Sequence, residues 1–170
     1  MTQINSVLGP MDTSDLGFTL SHEHVIIGSA GIHHVYPEFV YRVETIERGV
    51  AELTTAYGEG LRSIIDVTTM DLGRDIRAIE QVSRESGINI ICATGTWRDI
   101  PRAFHTASPD HIASLYIREI EEGIEVTGIM AGIIKVANDK GGVTPEGEII
   151  LRAAARIYCP SSPDLDCWSC

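Results

Sequence analysis

The sequence predicts an α/β fold of parallel β/α units, with a closed (β/α)8 barrel favoured over an open doubly wound sheet. Strand-like and helix-like stretches alternate four times along the 170 residues, the order of parallel strands joined by right-handed crossovers. Polar groups that could carry chemistry follow several strand-like runs, as they do at the carboxyl ends of barrel strands. Because a complete barrel needs about 250 residues, we expect a truncated barrel with only about four of its eight units.

The four units follow from the apolar periodicity of the chain. Short runs rich in Ile and Val predict strands at residues 18–27, 63–68, 88–94 and 131–137. Apolar residues at helical spacing predict helices at residues 43–57, 75–86, 109–122 and 145–157. Turn residues predict a loop at residues 6–17, and a second loop is expected at residues 28–39. Residues 28–31 lack the glycine spacing of a dinucleotide site, which disfavours the doubly wound sheet.

Composition and charge exclude several classes of partner. The chain carries 24 acidic and 13 basic residues, a formal charge of -11, and has no Lys/Arg cluster that could displace counterions from nucleic acid. Its first residues lack the basic and apolar regions of a signal peptide, and no run approaches the roughly 18 apolar residues of a membrane span. We therefore predict a cytoplasmic protein that binds neither nucleic acid nor a membrane.

The four cysteines fall into two groups. Cys92 lies in an apolar strand-like run and is predicted to be a small core residue. Cys159, Cys167 and Cys170 crowd into the last residues, where a Cys-x-x-Cys pattern has no second ligand pair, so a redox or zinc role is disfavoured. Residues 159–170 also lack periodicity, and we predict an aberrant, unstructured tail behind one domain of residues 1–158.

The strongest chemical signal is the pair His22 and His24 within the apolar run 18–27. Residues i and i+2 of a strand point to the same face, so both rings are expected to converge in buried surroundings. Desolvation and mutual repulsion would destabilise two charged imidazoles there, which favours two neutral rings that share a metal ion. Ordinary core or rim histidines are the open alternative. His33 and His34 are adjacent, so their side chains are expected to splay to opposite sides of a loop, solvated or facing substrate.

Lys135 is the second signal, because it stands in the middle of a strand-like run that is expected to be buried on both faces. An isolated ammonium group there costs several kcal/mol, so the lysine must be paired, neutral or chemically altered. A neutral amine can add carbon dioxide to form a carbamate, whose two oxygens can bridge two divalent cations. The open alternative is that the side chain reaches a carboxylate such as Asp139.

In combination, His22, His24 and Lys135 resemble the metal ligands of the phosphotriesterase family, a branch of the amidohydrolase superfamily. The resemblance extends from about residue 7 to residue 158. Its segments are Val7-Leu-Gly-Pro10, Thr19-Leu-Ser-His-Glu-His24, Ala30-Gly31 with Pro37-Glu-Phe39, Ile65-Asp-Val-Thr-Thr69 with Gly73-Arg-Asp75, Ala93-Thr-Gly95 with Trp97, Glu119-Ile-Glu-Glu-Gly-Ile124, Thr127-Gly128 and Ala131-Gly-Ile-Ile-Lys-Val-Ala137.

The resemblance implies a TIM barrel with a binuclear metal centre at the carboxyl ends of its strands, usually zinc, with manganese or cobalt as further options. It implies that His22 and His24 bind the more buried metal and that Lys135 is an N6-carboxylysine that bridges both metals. Water held between such metals would ionise near neutral pH and attack an ester substrate, either an organophosphate triester or a lactone. It further implies that Trp97 and Leu72 line the substrate pocket and that the full-length protein is a homodimer.

Two alternatives to this function stay open. The later strands of the family supply two further metal-binding histidines and an aspartate, and this sequence contains none of them. We therefore expect the isolated chain to be poorly stable and inactive, and to bind at most one metal weakly. The other alternative is amide hydrolysis or deamination on the same scaffold.

Overall fold

A four-stranded parallel sheet forms the centre of the computed structural model, which describes residues 2–138 and 140–158. The strands of these residues are β1 (Gln3–Ser6), β2 (Gly9–Asp12), β3 (Thr19–Glu23), β4 (Ser63–Asp66), β5 (Asn89–Gly95) and β6 (Ile133–Lys135). The parallel sheet has the order β3-β4-β5-β6, so each strand lies beside the next one along the chain. The strands β1 and β2 form a separate antiparallel hairpin.

Helices connect the parallel strands and confirm the predicted alternation. They are α1 (Ile32–Val35), α2 (Arg42–Gly58), α3 (Ile76–Ser86), α4 (Pro109–Glu121) and α5 (Pro145–Tyr158). The four longer helices end within one residue of their predicted bounds. Local signals explain this agreement: a carboxylate oxygen of Asp75 accepts from the Ala78 N–H at 3.0 Å and caps α3, while Gly87 ends α3 with a φ of 76°. This arrangement is consistent with half of an eight-stranded barrel.

The core lies between the sheet and the helices in two clusters. The larger cluster joins the inner strands β4 and β5 to α2 and α3, and it includes Ile46, Ile64, Ile79 and Ile90. Cys92 is fully buried in this cluster, which confirms its predicted role. The smaller cluster joins α4 to α5 through Ile112, Tyr116, Ile150 and Ala153.

The two outer strands are less buried than the sequence predicts. Residues of β4 and β5 are almost all buried, as expected, but Leu20 on β3 is 38% exposed and the three residues of β6 are half-buried. The reason is that β3 and β6 are the edges of the described sheet, so each has a neighbouring strand on one side only.

The predicted loop at residues 6–17 is wrong in part, because the hairpin β1–β2 and a 3-10 turn at Thr13–Asp15 occupy this region. Val7 in the hairpin turn is 3% exposed, and its N–H donates to the Ile90 carbonyl oxygen at 2.8 Å. The Asn5 side chain donates to the Ala131 carbonyl oxygen at 3.3 Å. The hairpin therefore packs against the starts of β5 and β6, at the end of the sheet opposite to their carboxyl ends.

The first parallel strand is shorter than predicted. The strand β3 ends at Glu23, and the N–H of Val25 donates to a carboxylate oxygen of Asp66 at 2.8 Å rather than to a neighbouring strand. Leu20 pairs with Ile64 and Glu23 pairs with Asp66. Between these two pairs the chain advances three residues along β3 but only two along β4, which is a β-bulge. The predicted loop at 28–39 also contains α1 and a 3-10 turn at Pro37–Phe39.

No helix within residues 2–138 and 140–158 is both long enough and apolar enough to cross a membrane. The predicted tail at 159–170, with Cys159, Cys167 and Cys170, lies outside the described residues, so its structure stays a prediction.

Candidate metal centre

The predicted site residues all lie at the same end of the sheet, where the four parallel strands have their carboxyl ends. His22 lies on β3 and His24 directly follows it, β4 ends at Asp66, Trp97 follows β5 by two residues, and β6 ends at Lys135. In α/β barrels the carboxyl ends of the strands carry the functional groups, because the loops that follow the strands converge there.

His22 and His24 lie close together, as predicted, but their surroundings are not buried. The centroids of their rings are 5.6 Å apart and the ring planes are inclined by 70°. Both residues are exposed, because β3 is an edge strand and the chain leaves the sheet at Glu23. The bulge in β3 lies beside this pair, and bulges near functional sites commonly redirect side chains.

A hydrogen-bonded relay holds the ring of His24 in place. Its Nδ1 atom lies 2.9 Å from the hydroxyl oxygen of Thr68, and Thr68 is fully buried. The backbone N–H of Thr68 in turn donates to a carboxylate oxygen of Asp66 at 2.8 Å. A proton on Nδ1 of His24, donated to the Thr68 hydroxyl, leaves Nε2 as the nitrogen for a metal ion. Ligand histidines are commonly held by their second nitrogen in this way.

The Asp66 carboxylate anchors the relay inside the protein. Its oxygens accept from the backbone N–H groups of Val25 and Thr68, each at 2.8 Å, and Asp66 is fully buried. Burial raises the pKa of Asp66 above its ordinary value, whereas the hydrogen bonds from Thr68 and Val25 and the nearby His24 act in the opposite direction. The relay therefore joins the end of β4 to the chain that follows β3.

Lys135 lies at the opposite edge of the described sheet from the two histidines. The strands β4 and β5 separate β3 from β6, and three steps of about 4.8 Å place the edges roughly 14 Å apart across the sheet. Lys135 is half-buried rather than fully buried, and its carbonyl oxygen accepts from the Thr96 N–H at 3.1 Å. Asp139, the alternative partner of its amino group, lies outside the described residues.

The side chains present fit part of a divalent metal site. Two neighbouring imidazoles, one of them oriented through Nδ1, are donors of the type that zinc binds. Within residues 2–138 and 140–158, no group of three or more His, Cys, Asp or Glu side chains could hold a metal ion. His22 and His24 thus account for two ligands, and a closed coordination shell needs others.

The two predicted pocket residues, Leu72 and Trp97, lie on neighbouring loops and are both half-buried. Asp71 connects these loops, because its carboxylate oxygens each lie 3.2 Å from the backbone nitrogen of Trp97. The guanidinium carbon of Arg98 lies 4.4 Å from the centre of the Trp97 ring. The assignment of Leu72 and Trp97 to a substrate pocket stays a prediction.

The prediction that His33 and His34 splay apart is wrong. Their ring centroids are 3.9 Å apart, with the planes inclined by 43°. Both residues lie on α1, where successive side chains are rotated by only about 100° rather than pointing to opposite sides.

Sequence reasoning did not assign a role to Asp66, Thr68 or Asp71. The sequence did contain a signal for Asp66 and Thr68, which lie at the end of a β-branched run that is expected to be buried. A buried carboxylate or hydroxyl group is costly without a hydrogen-bond partner, so partners for both residues could have been expected. No spacing rule indicates Asp71, since its partner Trp97 is 26 residues away on another loop.

Comparisons with known proteins show which family the chain resembles. The phosphotriesterase family model matches residues 2–160. A phosphotriesterase homology protein from Mycobacterium tuberculosis is 39% identical over 168 residues, covering 93% of this chain and 52% of that protein. An aryldialkylphosphatase from Saccharolobus solfataricus is 40% identical over 147 residues, covering 85% of this chain and 47% of that protein.

A more distant relative is an N-acetyltaurine hydrolase from Xenopus tropicalis, which is 24% identical over 191 aligned positions and is covered to 55% of its length. The chain spans about half the length of these curated relatives.

Proposed function

The chain belongs to the phosphotriesterase family, and we propose that it forms the amino-terminal half of a metal-dependent hydrolase that acts on ester bonds. The proposed substrates are organophosphate triesters or lactones. The relative named aryldialkylphosphatase, at 40% identity, supports the phosphotriester class. A cytoplasmic location and a homodimer of the full-length protein stay predictions.

In this proposal His22 and His24 would hold one divalent metal, preferably zinc. Lys135, as an N6-carboxylysine, would be a ligand of a second metal. The metal centre would act as a Lewis acid toward water and the ester. Thr68 and Asp66 would keep His24 in one tautomer and one orientation. Lys135 would face the same centre once the sheet curves into a barrel, where the carboxyl ends of separate strands surround one axis.

The observation that carries the proposal is the oriented histidine pair. The two rings lie 5.6 Å apart, and His24 Nδ1 is held by Thr68 at 2.9 Å with the buried Asp66 behind it. Ordinary rim histidines need no such relay, whereas metal ligands gain affinity and a fixed tautomer from it.

Zinc binding and hydrolysis by the purified chain test this proposal. The chain receives zinc and bicarbonate, and bound zinc is counted before an aryl dialkyl phosphate and an aryl lactone are offered. Where the parent chain binds zinc and cleaves an ester, we expect His22→Ala and His24→Ala to lose both properties, and Lys135→Ala to lose the second metal. His111→Ala is the matched control, because His111 is an exposed histidine on α4. Full zinc binding and hydrolysis in the His22→Ala and His24→Ala variants would refute the proposal.

Two observations favour competing functions. The distance between the edges of the described sheet favours a chain that binds at most one metal and does not catalyse. In that case zinc saturates at one ion or fewer per chain and neither ester is cleaved. The similarity to an N-acetyltaurine hydrolase favours amide substrates. An aryl amide offered beside the two esters distinguishes an amide hydrolase from an ester hydrolase, since preferential cleavage of the amide would exclude the ester assignment.

A further inference from the structure

Three loops at the carboxyl ends of the parallel strands meet at Asp71. Both of its carboxylate oxygens lie 3.2 Å from the backbone nitrogen of Trp97, which follows β5. One of these oxygens also accepts from the Thr69 hydroxyl at 2.5 Å, within the loop that follows β4. The main-chain oxygen of Asp71 accepts from the Ala30 N–H at 3.3 Å, in the loop that follows β3.

Close backbone packing reinforces the contact between the loop that follows β3 and the loop that follows β4. The Gly28 N–H donates to the Leu72 carbonyl oxygen at 2.8 Å. Gly73 has a φ of 70°, and a Cβ atom there would lie 2.8 Å from the backbone nitrogen of Ser29. The loop that carries Leu72 is therefore fixed, and Asp71 offers its carboxylate from a rigid support.

The same connection continues to the fourth strand. Thr96 precedes Trp97, and its N–H donates to the carbonyl oxygen of Lys135 at 3.1 Å. A Cβ atom at Gly95 would collide with that carbonyl group, so β5 and β6 approach very closely here. Asp71 thus joins a continuous hydrogen-bonded path from the loop after β3 to the end of β6.

We propose that Asp71 is a positioning residue that sets the width of the substrate pocket by holding the Trp97 backbone against the loop that carries Leu72. A carboxylate suits this task, because charge-assisted hydrogen bonds are about twice as strong as neutral ones. Asp71 accepts from two groups, Trp97 N–H and Thr69 O–H, and an amide side chain offers only one acceptor oxygen. The consequence for substrate size rests on the proposed function, whereas the hydrogen-bonded coupling does not.

Hydrogen exchange at the Trp97 amide tests the coupling without metal or substrate. In Asp71→Ala we expect this amide to exchange roughly tenfold faster, because local opening no longer breaks a charge-assisted bond. The Gly132 amide, which donates to Cys92 at 2.9 Å, is the internal reference and should not change. Asp99→Asn is the matched control, because it removes an exposed carboxylate two residues from Trp97.

Asp71→Asn supplies the answer if the alanine variant does not fold, and it should give a smaller acceleration at Trp97. Trp97 fluorescence is an independent readout, since Trp168→Phe leaves Trp97 as the single tryptophan of the chain. Acrylamide should then quench Trp97 more strongly in the Asp71 variants than in Asp99→Asn. Unchanged Trp97 exchange, or equal acceleration of Trp97 and Gly132, would overturn the proposal. A failure of the proposed function appears separately, as a parent chain that binds no zinc and cleaves no ester.

Discussion

Replacing Glu119 by glutamine is expected to destabilise the fold strongly, because it removes the charge partner of a buried arginine. The Arg74 side chain is 0% exposed and donates to the two carboxylate oxygens of Glu119 at 2.6 and 3.2 Å. It also donates to the Ala93 carbonyl oxygen at 2.7 Å. Its Nε atom has no hydrogen-bond partner among residues 2–138 and 140–158, and the carboxylate of Glu125 lies 4.0 Å from it. Arg74 thus joins the start of α3 to β5 and α4.

The expected loss in the free energy of unfolding is large because few other groups neutralise the charge of Arg74. Removing one partner of a buried ion pair costs about 3–5 kcal/mol, because the remaining charge stays in surroundings of low dielectric constant. Glu119 is 18% exposed, so water reaches part of the pair, and glutamine keeps one oxygen that can accept from Arg74. We therefore expect a loss of about 3 kcal/mol in the free energy of unfolding. For a chain of this size that corresponds to a midpoint temperature lower by roughly 6–12 °C.

Urea unfolding followed by circular dichroism measures this loss. Glu121→Gln is the control, because Glu121 is an exposed residue at the end of the same helix, and we expect it to change stability by no more than about 0.5 kcal/mol. A double variant with methionine at both 74 and 119 should be more stable than Glu119→Gln, since it leaves no unpaired charge at these two positions. A loss below about 1 kcal/mol in Glu119→Gln would refute the reasoning.

Three further predictions concern the relay, the backbone and the pH dependence. Thr68→Val removes the hydroxyl that holds His24, so zinc affinity measured by chelator competition should fall roughly 10–100-fold; unchanged affinity contradicts the relay. Val126→Gly should raise the free energy of unfolding by about 1 kcal/mol, because Val126 has a φ of 59° and is 94% exposed; Val143→Gly, without a positive φ, should lower it in the same urea assay. Burial raises the pKa of Tyr116 to about 12, so its neutral phenol stabilises the fold fully below about pH 10 and this contribution disappears as the pH rises to about 12. Tyr116→Phe should remove that alkaline loss.

The helices and inner strands were predictable because their signals are local. Asp75 and Gly87 bracket α3 by their own conformational preferences, and the β-branched run of β4 is buried on both faces as such runs usually are. The hairpin β1–β2 was missed because its strands are four residues each, and β2 begins with Gly9 and Pro10, which indicate a turn. Its stability depends on distant partners such as Ile90, which accepts from Val7.

The candidate site was predictable only in its ligand types. His22 and His24 stand out by spacing, but the length of their strand depends on Asp66, whose carboxylate takes the Val25 N–H away from the sheet. Their exposure and the half-burial of Lys135 depend on which strands form the edges, and local sequence does not encode that. The relay through Thr68 joins residues 44 apart, so only the folded chain brings it together.

The coordination of zinc bound to the chain tests the central claim most directly. X-ray absorption at the zinc edge should show imidazole nitrogens at roughly 2.0–2.1 Å. We expect two such nitrogens, one lost in His22→Ala and the other in His24→Ala, and both kept in His111→Ala. A zinc spectrum without imidazole ligands, or one that is the same after both substitutions, would contradict it.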